Sequence, residues 1–133
     1  MKHLFLINPA AGSRDRTLVC SREIAKLCKS LDYRVEISQR PGDCTRLARE
    51  AAQSGEEYRI YACGGDGTLN EVAAGAAGYD NVAITVWAGG SGNDFVRLFS
   101  EPGAFQYLPR LLDAEETRFD LIRCNDALVL NIC

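Results

Sequence analysis

Two glycine-rich segments carry the acids best placed to do chemistry. Gly64-Gly65-Asp66-Gly67-Thr68 and Gly89-Gly90-Ser91-Gly92-Asn93-Asp94 each follow an apolar, β-prone run and precede a helical one. In that arrangement backbone N–H groups and a helix N-terminus converge on one spot, which suits an anion such as phosphate. A bare carboxylate beside phosphate is repulsive. Asp66 and Asp94 make sense there if Mg²⁺ lies between, because Mg²⁺ takes oxygen ligands and keeps several waters. The chemistry implied is phosphoryl transfer, whose transferring group needs positive charge around it. The chain has three lysines, Lys2, Lys26 and Lys29, against twelve arginines, and none of the three is near these loops. Backbone amides, Mg²⁺ and an arginine therefore have to supply that charge. The plainer reading of Gly-Gly-Asp-Gly is a tight turn whose Asp bonds its own backbone. Two such loops on one inferred sheet favour phosphate and metal.

Other chemistries find little support. No GxxxxGK[ST] occurs, so this is not a P-loop NTPase, and no full GxGxxG occurs, which disfavours a dinucleotide dehydrogenase. The protein-kinase motif set is missing too. The single histidine, His3, sits inside the first apolar run. It reads as a packed strand residue, leaving no place for a Ser-His-Asp triad or a His-based zinc site. Six cysteines are present, none with CxxC spacing. In a chain with enough apolar residues for a core they read as reduced thiols used as small hydrophobes, as in a cytoplasmic protein. Hydrophobic residues make up 47% and charged ones 25% of the 133, with a net charge of -3. That is the composition of one globular domain, and its acidity argues against sequence-independent binding of nucleic acid. No signal peptide opens the chain and no apolar run reaches 18 residues, so any membrane contact is expected to be peripheral.

The elements that would position the loops alternate. Leu4 to Ile7 reads as a strand buried on both faces and ending at Asn8-Pro9. Cys20, Ile24, Leu27, Cys28 and Leu31 follow helical spacing. Tyr33 to Ser38 alternates as a strand, and Leu47, Ala48, Ala51 and Ala52 mark a helix stopping at Gly55. Tyr58 to Cys63 is a third strand. A helix is expected from Thr68 to Ala77, with Thr68 as N-cap and Glu71 at capping-box spacing. Val82 to Trp87 is a fourth strand. Asn93 to Phe99 and Ala104 to Leu112 read as short helices, and Phe119 to Arg123 and Ala127 to Ile132 as strands around a turn at Asn125-Asp126. This alternation predicts an α/β domain with a mostly parallel sheet, whose ligand lies beyond the carboxyl ends of the strands. Arg14 and Arg16 suit either phosphate contact or an exposed helix face. Trp87 and Cys63 read as packing residues. The run from Ala127 to Cys133 is apolar to its last residue and looks cut within a structural unit, so a fragment that self-associates through this end is expected.

Taken as a set, Asn8-Pro9-Ala10-Ala11-Gly12, Gly64 to Thr68 with Asn70-Glu71-Val72, Gly90-Ser91-Gly92-Asn93-Asp94-Phe95 and Arg40-Pro41-Gly42-Asp43-Cys44-Thr45 strongly resemble the diacylglycerol kinase catalytic domain. That family takes in bacterial soluble lipid kinases and the related sphingosine and ceramide kinases. The resemblance implies a three-layer α/β nucleotide-binding domain over residues 1–117, shared in outline with NAD kinase, and the opening strands of a second, mostly β lipid-binding domain over 118–133. It implies ATP as co-substrate, bound near Asn8, Ser38, Gly64, Gly65, Gly67, Thr68, Glu71, Gly90, Ser91 and Asn93. It implies Mg²⁺ held partly through water by Asp66, Asp94 and Asp120, with Asp66 positioning metal and phosphate for catalysis. The acceptor would be a lipid alcohol such as diacylglycerol, met at the membrane surface, and the general base would lie outside this chain. Residues 1–133 alone are then expected to be inactive. Ser38 stands where many relatives have Thr, and Ala88 where they usually have Pro. NAD kinase carries a similar GGDGT loop and remains an alternative, as does a nucleotide-binding module without catalysis. The Asn-Pro-x-x-Gly start and the Gly-Ser-Gly-Asn-Asp-Phe loop favour the lipid kinase.

Overall fold

A computed structural model describes residues 1–10, 16–88, 108–112, 121–124 and 127–130. Its elements are β1 (Lys2–Ile7), α1 (Thr17–Leu27), β2 (Tyr33–Ile37), α2 (Asp43–Gln53), β3 (Tyr58–Gly64), α3 (Asp66–Ala76), β4 (Val82–Ala88), α4 (Leu108–Leu112), β5 (Leu121–Cys124) and β6 (Ala127–Leu130). The first four strands form one all-parallel sheet in the order β2-β1-β3-β4, as the alternation of elements requires. β5 and β6 make a separate antiparallel pair, and β6 runs beside α3. The expected helix at Asn93 to Phe99 lies outside the described residues. So does residue 104–107 of the one expected to end at Leu112.

Strand periodicity builds the layers. On one face, Leu4 and Leu6 of β1 meet Ile60 and Ala62 of β3 and pack under Leu47, Ala48 and Ala51 of α2 and Leu69, Val72 and Ala73 of α3. On the other, Phe5, Ile7, Tyr61, Cys63 and Trp87 pack under Cys20, Ile24 and Cys28, with Leu108 and Leu111 of α4. The sheet is thus sandwiched between helices, so β1 and β3 are buried on both faces and read as continuous apolar runs. Burying each Leu or Phe there contributes about 1.5–3 kcal/mol. α2 earns its place through an i, i+3, i+4, i+7, i+8 stripe of Cys44, Leu47, Ala48, Ala51 and Ala52, all buried.

Several expected residues fall where the sequence put them. His3 is 8% exposed and shares a 2.8 Å hydrogen bond between its Nδ1 and Tyr61 Oη, with Tyr61 stacked in turn on Phe5. Cys20, Cys28, Cys44 and Cys63 are buried thiols outside any disulfide. Several boundaries differ, two of them with consequences for packing. α1 ends at Leu27, and Leu31 reaches the same core from a turn, its N–H donating to Cys28 O at 3.0 Å. α3 begins at Asp66, not at Thr68, because Gly65 supplies an extended N-cap (φ -104°, ψ -162°) directly after β3. Thr68 is therefore inside the first turn, and the expected capping box does not form. Among the described residues no helix is long and apolar enough to cross a membrane.

Candidate functional site

With β1 flanked by β2 on one side and β3 on the other, the chain reverses its winding direction between β1 and β3. In open α/β sheets the crevice at such a switch point, beyond the carboxyl ends of the strands, is where ligands bind. Asn8 stands there as the first residue past β1. Its N–H donates to Cys63 O at 3.2 Å, its Oδ1 accepts from Ala10 N at 3.1 Å, and its Nδ2 donates to Thr68 Oγ1 at 3.1 Å. One amide side chain thereby fixes its own loop and the first turn of α3, while its backbone holds the end of β3. Thr68 is 3% exposed, so the bond to Asn8 is sheltered from water.

The strand-to-helix junction follows from its glycines. Gly64 closes β3 and Gly65 caps α3 with no loop between, which sets the N–H groups of the first helical turn at the crevice. Asp66 is the first helical residue, half-buried, and its charge complements the positive helix end. Gly67 is exposed, and a Cβ there would meet no atom within 4 Å. Packing among the described residues does not require that glycine.

A second group lies at the adjoining corner, where β2 gives way to α2. Ser38 N donates to Ile7 O at 2.9 Å, and Asp43 N donates to Arg40 O at 3.2 Å. Pro41 and Gly42 occupy the middle of that turn, with Gly42 at φ 92° and ψ -15°, the left-handed position a Pro-Gly type II turn demands. Glu71 is bound here: its Oε1 accepts from Gly42 N at 2.9 Å, and its carbonyl accepts from Thr45 Oγ1 at 2.8 Å. The capping role expected for Glu71 is thus replaced by a bond to the turn before another helix. Gln39 N donates to Asp43 Oδ2 at 2.8 Å, and this bond above all holds the Asp43 carboxyl below its usual range. Burial pushes the Cys44 thiol up to about 11, with the Glu71 charge adding to it and the Ser38 hydroxyl opposing it. Thr68 and Glu71 lie one turn apart on α3, so this helix links the two groups. Asp43 was not singled out for its chemistry from the sequence, although Pro-Gly followed by Asp is a legible turn-to-helix signal.

On the other side of the sheet, Arg16 lines a small cleft with Asn8, Cys63, Gly64 and Trp87. This puts Arg16 near the carboxyl ends of the strands, while Arg14 lies outside the described residues. Trp87 is buried packing, and burial drives the Cys63 thiol well above its ordinary value, which makes it a poor nucleophile. A larger groove of about 580 Å³ opens away from the switch point, between the β2 edge and α2, lined by residues that include Glu36, Arg40, Asp43 and Arg46. Gly90, Ser91, Asn93, Asp94 and Asp120 lie outside the described residues. Among those described, no group of three or more His, Cys, Asp or Glu side chains is placed to hold a metal ion.

Comparison with known proteins places these features in a family. The sequence pattern of the diacylglycerol kinase catalytic domain matches residues 2–124. The Bacillus subtilis protein named "Putative lipid kinase YtlR" is 35% identical over 105 residues, covering 75% of this chain and 34% of that protein. "Putative lipid kinase SERP0390" of Staphylococcus epidermidis is 31% identical over 117 residues, 84% of this chain and 37% of its own length. A crystal structure of a diacylglycerol kinase from Bacillus anthracis superposes with a TM-score of 0.73 at 25% identity, covering 96% of this chain and 47% of that one. The chain spans about a third of the length of these curated relatives and about half of the solved chain. The match over residues 2–124 falls on the lipid-kinase side of the two readings that a GGDGT loop allows, and the chain belongs to the diacylglycerol kinase catalytic domain family.

Proposed function

We propose that these residues form the nucleotide-binding part of an ATP-dependent lipid kinase, which transfers the γ-phosphoryl group to the hydroxyl of a lipid alcohol such as diacylglycerol. The observation that carries the reading is the convergence of Asn8, Gly64, Gly65, Asp66 and Thr68 at the β1/β3 switch point, in a chain of this family. The first-turn N–H groups of α3 receive phosphate oxygens, and the glycines leave room for them. Asn8 keeps β1, its own loop and α3 in register, so these donors stay aimed without reorganising when phosphate arrives. Arg16 adds positive charge from the opposite face. Ser38, Gly42 and Glu71 form the neighbouring wall, on the side of the nucleoside.

The donor set suits Mg²⁺, which usually takes one or two carboxylates along with substrate phosphates and water. Asp66 supplies a carboxylate beside the phosphate donors, and Asp94 and Asp120 are the further ligands that the family resemblance implies. When bound, Mg²⁺ would neutralise charge on the phosphate oxygens. Peripheral contact with a membrane would bring the lipid hydroxyl to the phosphate.

Transfer of label from γ-³²P-ATP tests this reading, using the protein as expressed in its own cell and vesicles containing diacylglycerol. Labelled phosphatidic acid that forms only with Mg²⁺ is the expected result. Label appearing on NAD and not on lipid would move the protein to the NAD-kinase reading. Nucleotide binding with no transfer to any alcohol would reduce it to a binding module.

A further inference from the structure

β2 ends the sheet, and among the described residues no strand pairs with its outer side. The phase of its bonding to β1 is set by His3 N donating to Asp32 O at 2.8 Å and Ser38 N donating to Ile7 O at 2.9 Å. Even-numbered residues of β2 therefore turn their backbone groups toward β1. Tyr33, Val35 and Ile37 turn theirs outward, to an edge that no described strand pairs with. Such edges recruit another strand unless charge, proline or a bulge blocks them. β2 carries two charges, but they are opposite and placed symmetrically about its middle residue, in the sequence Tyr-Arg-Val-Glu-Ile.

That symmetry has a geometric consequence. If a second β2 approaches antiparallel with Val35 facing its own copy, the outward residues become the hydrogen-bonded pairs: Val35 with Val35, and Tyr33 with Ile37. Arg34 then falls opposite Glu36 at the non-hydrogen-bonded positions, where Cα atoms approach to roughly 4.5 Å and side chains lie closest. Aromatic with β-branched and cation with anion are both stabilising cross-strand pairs. The two side chains most affected are large hydrophobics left in water, Tyr33 at 37% and Ile37 at 44% exposure. Within one chain Arg34 Nε and Glu36 Oε1 already lie 3.5 Å apart on the same face, so pairing would build a four-charge cluster of alternating sign. Arg46, a cation lining the groove beside Glu36, is engaged with Asp43 and Glu50.

We propose that two copies of this chain associate edge to edge through β2, two-fold symmetric about Val35, joining their sheets in the order β4-β3-β1-β2-β2-β1-β3-β4. A two-fold interface needs a self-complementary surface, and this strand is one. The pairing leaves the carboxyl ends of β1 and β3 open in both copies, and it is distinct from association through the segment Ala127 to Cys133.

Sedimentation equilibrium of the 133-residue chain in reducing buffer, at about 1–100 µM, where exposed edges associate, tests it. A dimer is expected. Val35→Pro removes an outward N–H while leaving the bonds to β1, a change tolerated on edge strands, and should abolish it. Glu36→Arg and Arg34→Glu each set like charges opposite and should raise the dissociation constant about tenfold or more. An equimolar mixture of those two variants should restore a dimer, because a doubly cationic strand then faces a doubly anionic one. Both charge changes are on side chains that are at least 40% exposed, so circular dichroism should report an unchanged fold. A monomer at 100 µM, a dimer indifferent to the charge changes, or a mixture that fails to reassociate would each overturn the proposal.

Discussion

Asp66 and Gly67 are neighbours at the head of α3, and on this account their substitutions separate ligand chemistry from folding in opposite senses. Asp66→Asn keeps size and helix position but removes the carboxylate. Phosphoryl transfer should fall roughly 10²–10³-fold, the loss of ~3–4 kcal/mol from the transition state, while stability falls by no more than about 1 kcal/mol through the helix dipole. Gly67→Ala meets open space and replaces a poor helix former, so it should raise stability by about 0.5–1 kcal/mol. The same methyl group should weaken ATP binding by crowding the approach of phosphate. Thermal melts and nucleotide titrations read stability and binding in both variants, and γ-³²P transfer to lipid by the protein as expressed in its own cell reads the Asp66→Asn rate. An Asp66→Asn enzyme of near-normal rate would remove the assigned role, as would a Gly67→Ala chain that binds ATP normally. His3 offers a test away from the site. Burial chiefly, with the Arg59 charge adding, holds its imidazole below the ordinary value of 6.5. The unfolded chain therefore takes up the proton first as pH falls. The contribution of neutral His3 should be complete above pH 6.5 and lost as pH drops from there toward the lowered folded value. Urea unfolding at pH 8 and pH 5 should show that loss, and His3→Gln should flatten it.

α2 and α3 approach closely because position 75 has no side chain. A Cβ on Gly75 would collide with Thr45 O and stand 2.9 Å from Ala48 Cβ. Thr45 Oγ1 to Glu71 O, at 2.8 Å, and Arg49 Nη2 to Ala74 O, at 2.9 Å, clamp the same seam. Gly75→Ala should cost about 1–3 kcal/mol as the helices are forced apart, and it should loosen the Glu71–Gly42 contact at the site's edge. A melting temperature equal to that of the parent would show that the seam yields freely. The elements also show what a sequence reveals and what it conceals. The runs of β1 and β3 were legible because both faces are covered and the apolar residues are continuous, and the stripe of α2 because its period is read against one covered face. Thr68 and Glu71 have capping-box spacing, yet Gly64-Gly65 lets the helix start two residues sooner, and the Glu71 carboxylate finds the Gly42 N–H 29 residues away. No local pattern announces a partner that only the tertiary fold supplies. Leu31 misled for a related reason, since a turn after α1 carries it into the core that the helix itself would have reached.

The whole sheet brings the site residues together. The order β2-β1-β3-β4 places Asn8 and Gly64 to Thr68 side by side, although some 55 residues of chain separate them. The acids were legible from residue type, and the crevice only from the strand order. Arg59 donates from β3 to Leu111 O and Leu112 O, securing α4 over the far face of the sheet. On the proposed function, ATP with Mg²⁺ binds at the β1/β3 switch point and not in the larger groove beside α2. Amide NMR of the ¹⁵N-labelled chain, titrated with ATP in the presence and absence of Mg²⁺, measures this directly. Mg²⁺-enhanced shifts are expected on Asn8, Gly64, Gly65, Gly67 and Thr68, with smaller ones at Ser38 and Glu71. Shifts confined to Glu36, Arg40 and Arg46, or none at millimolar nucleotide, would contradict it.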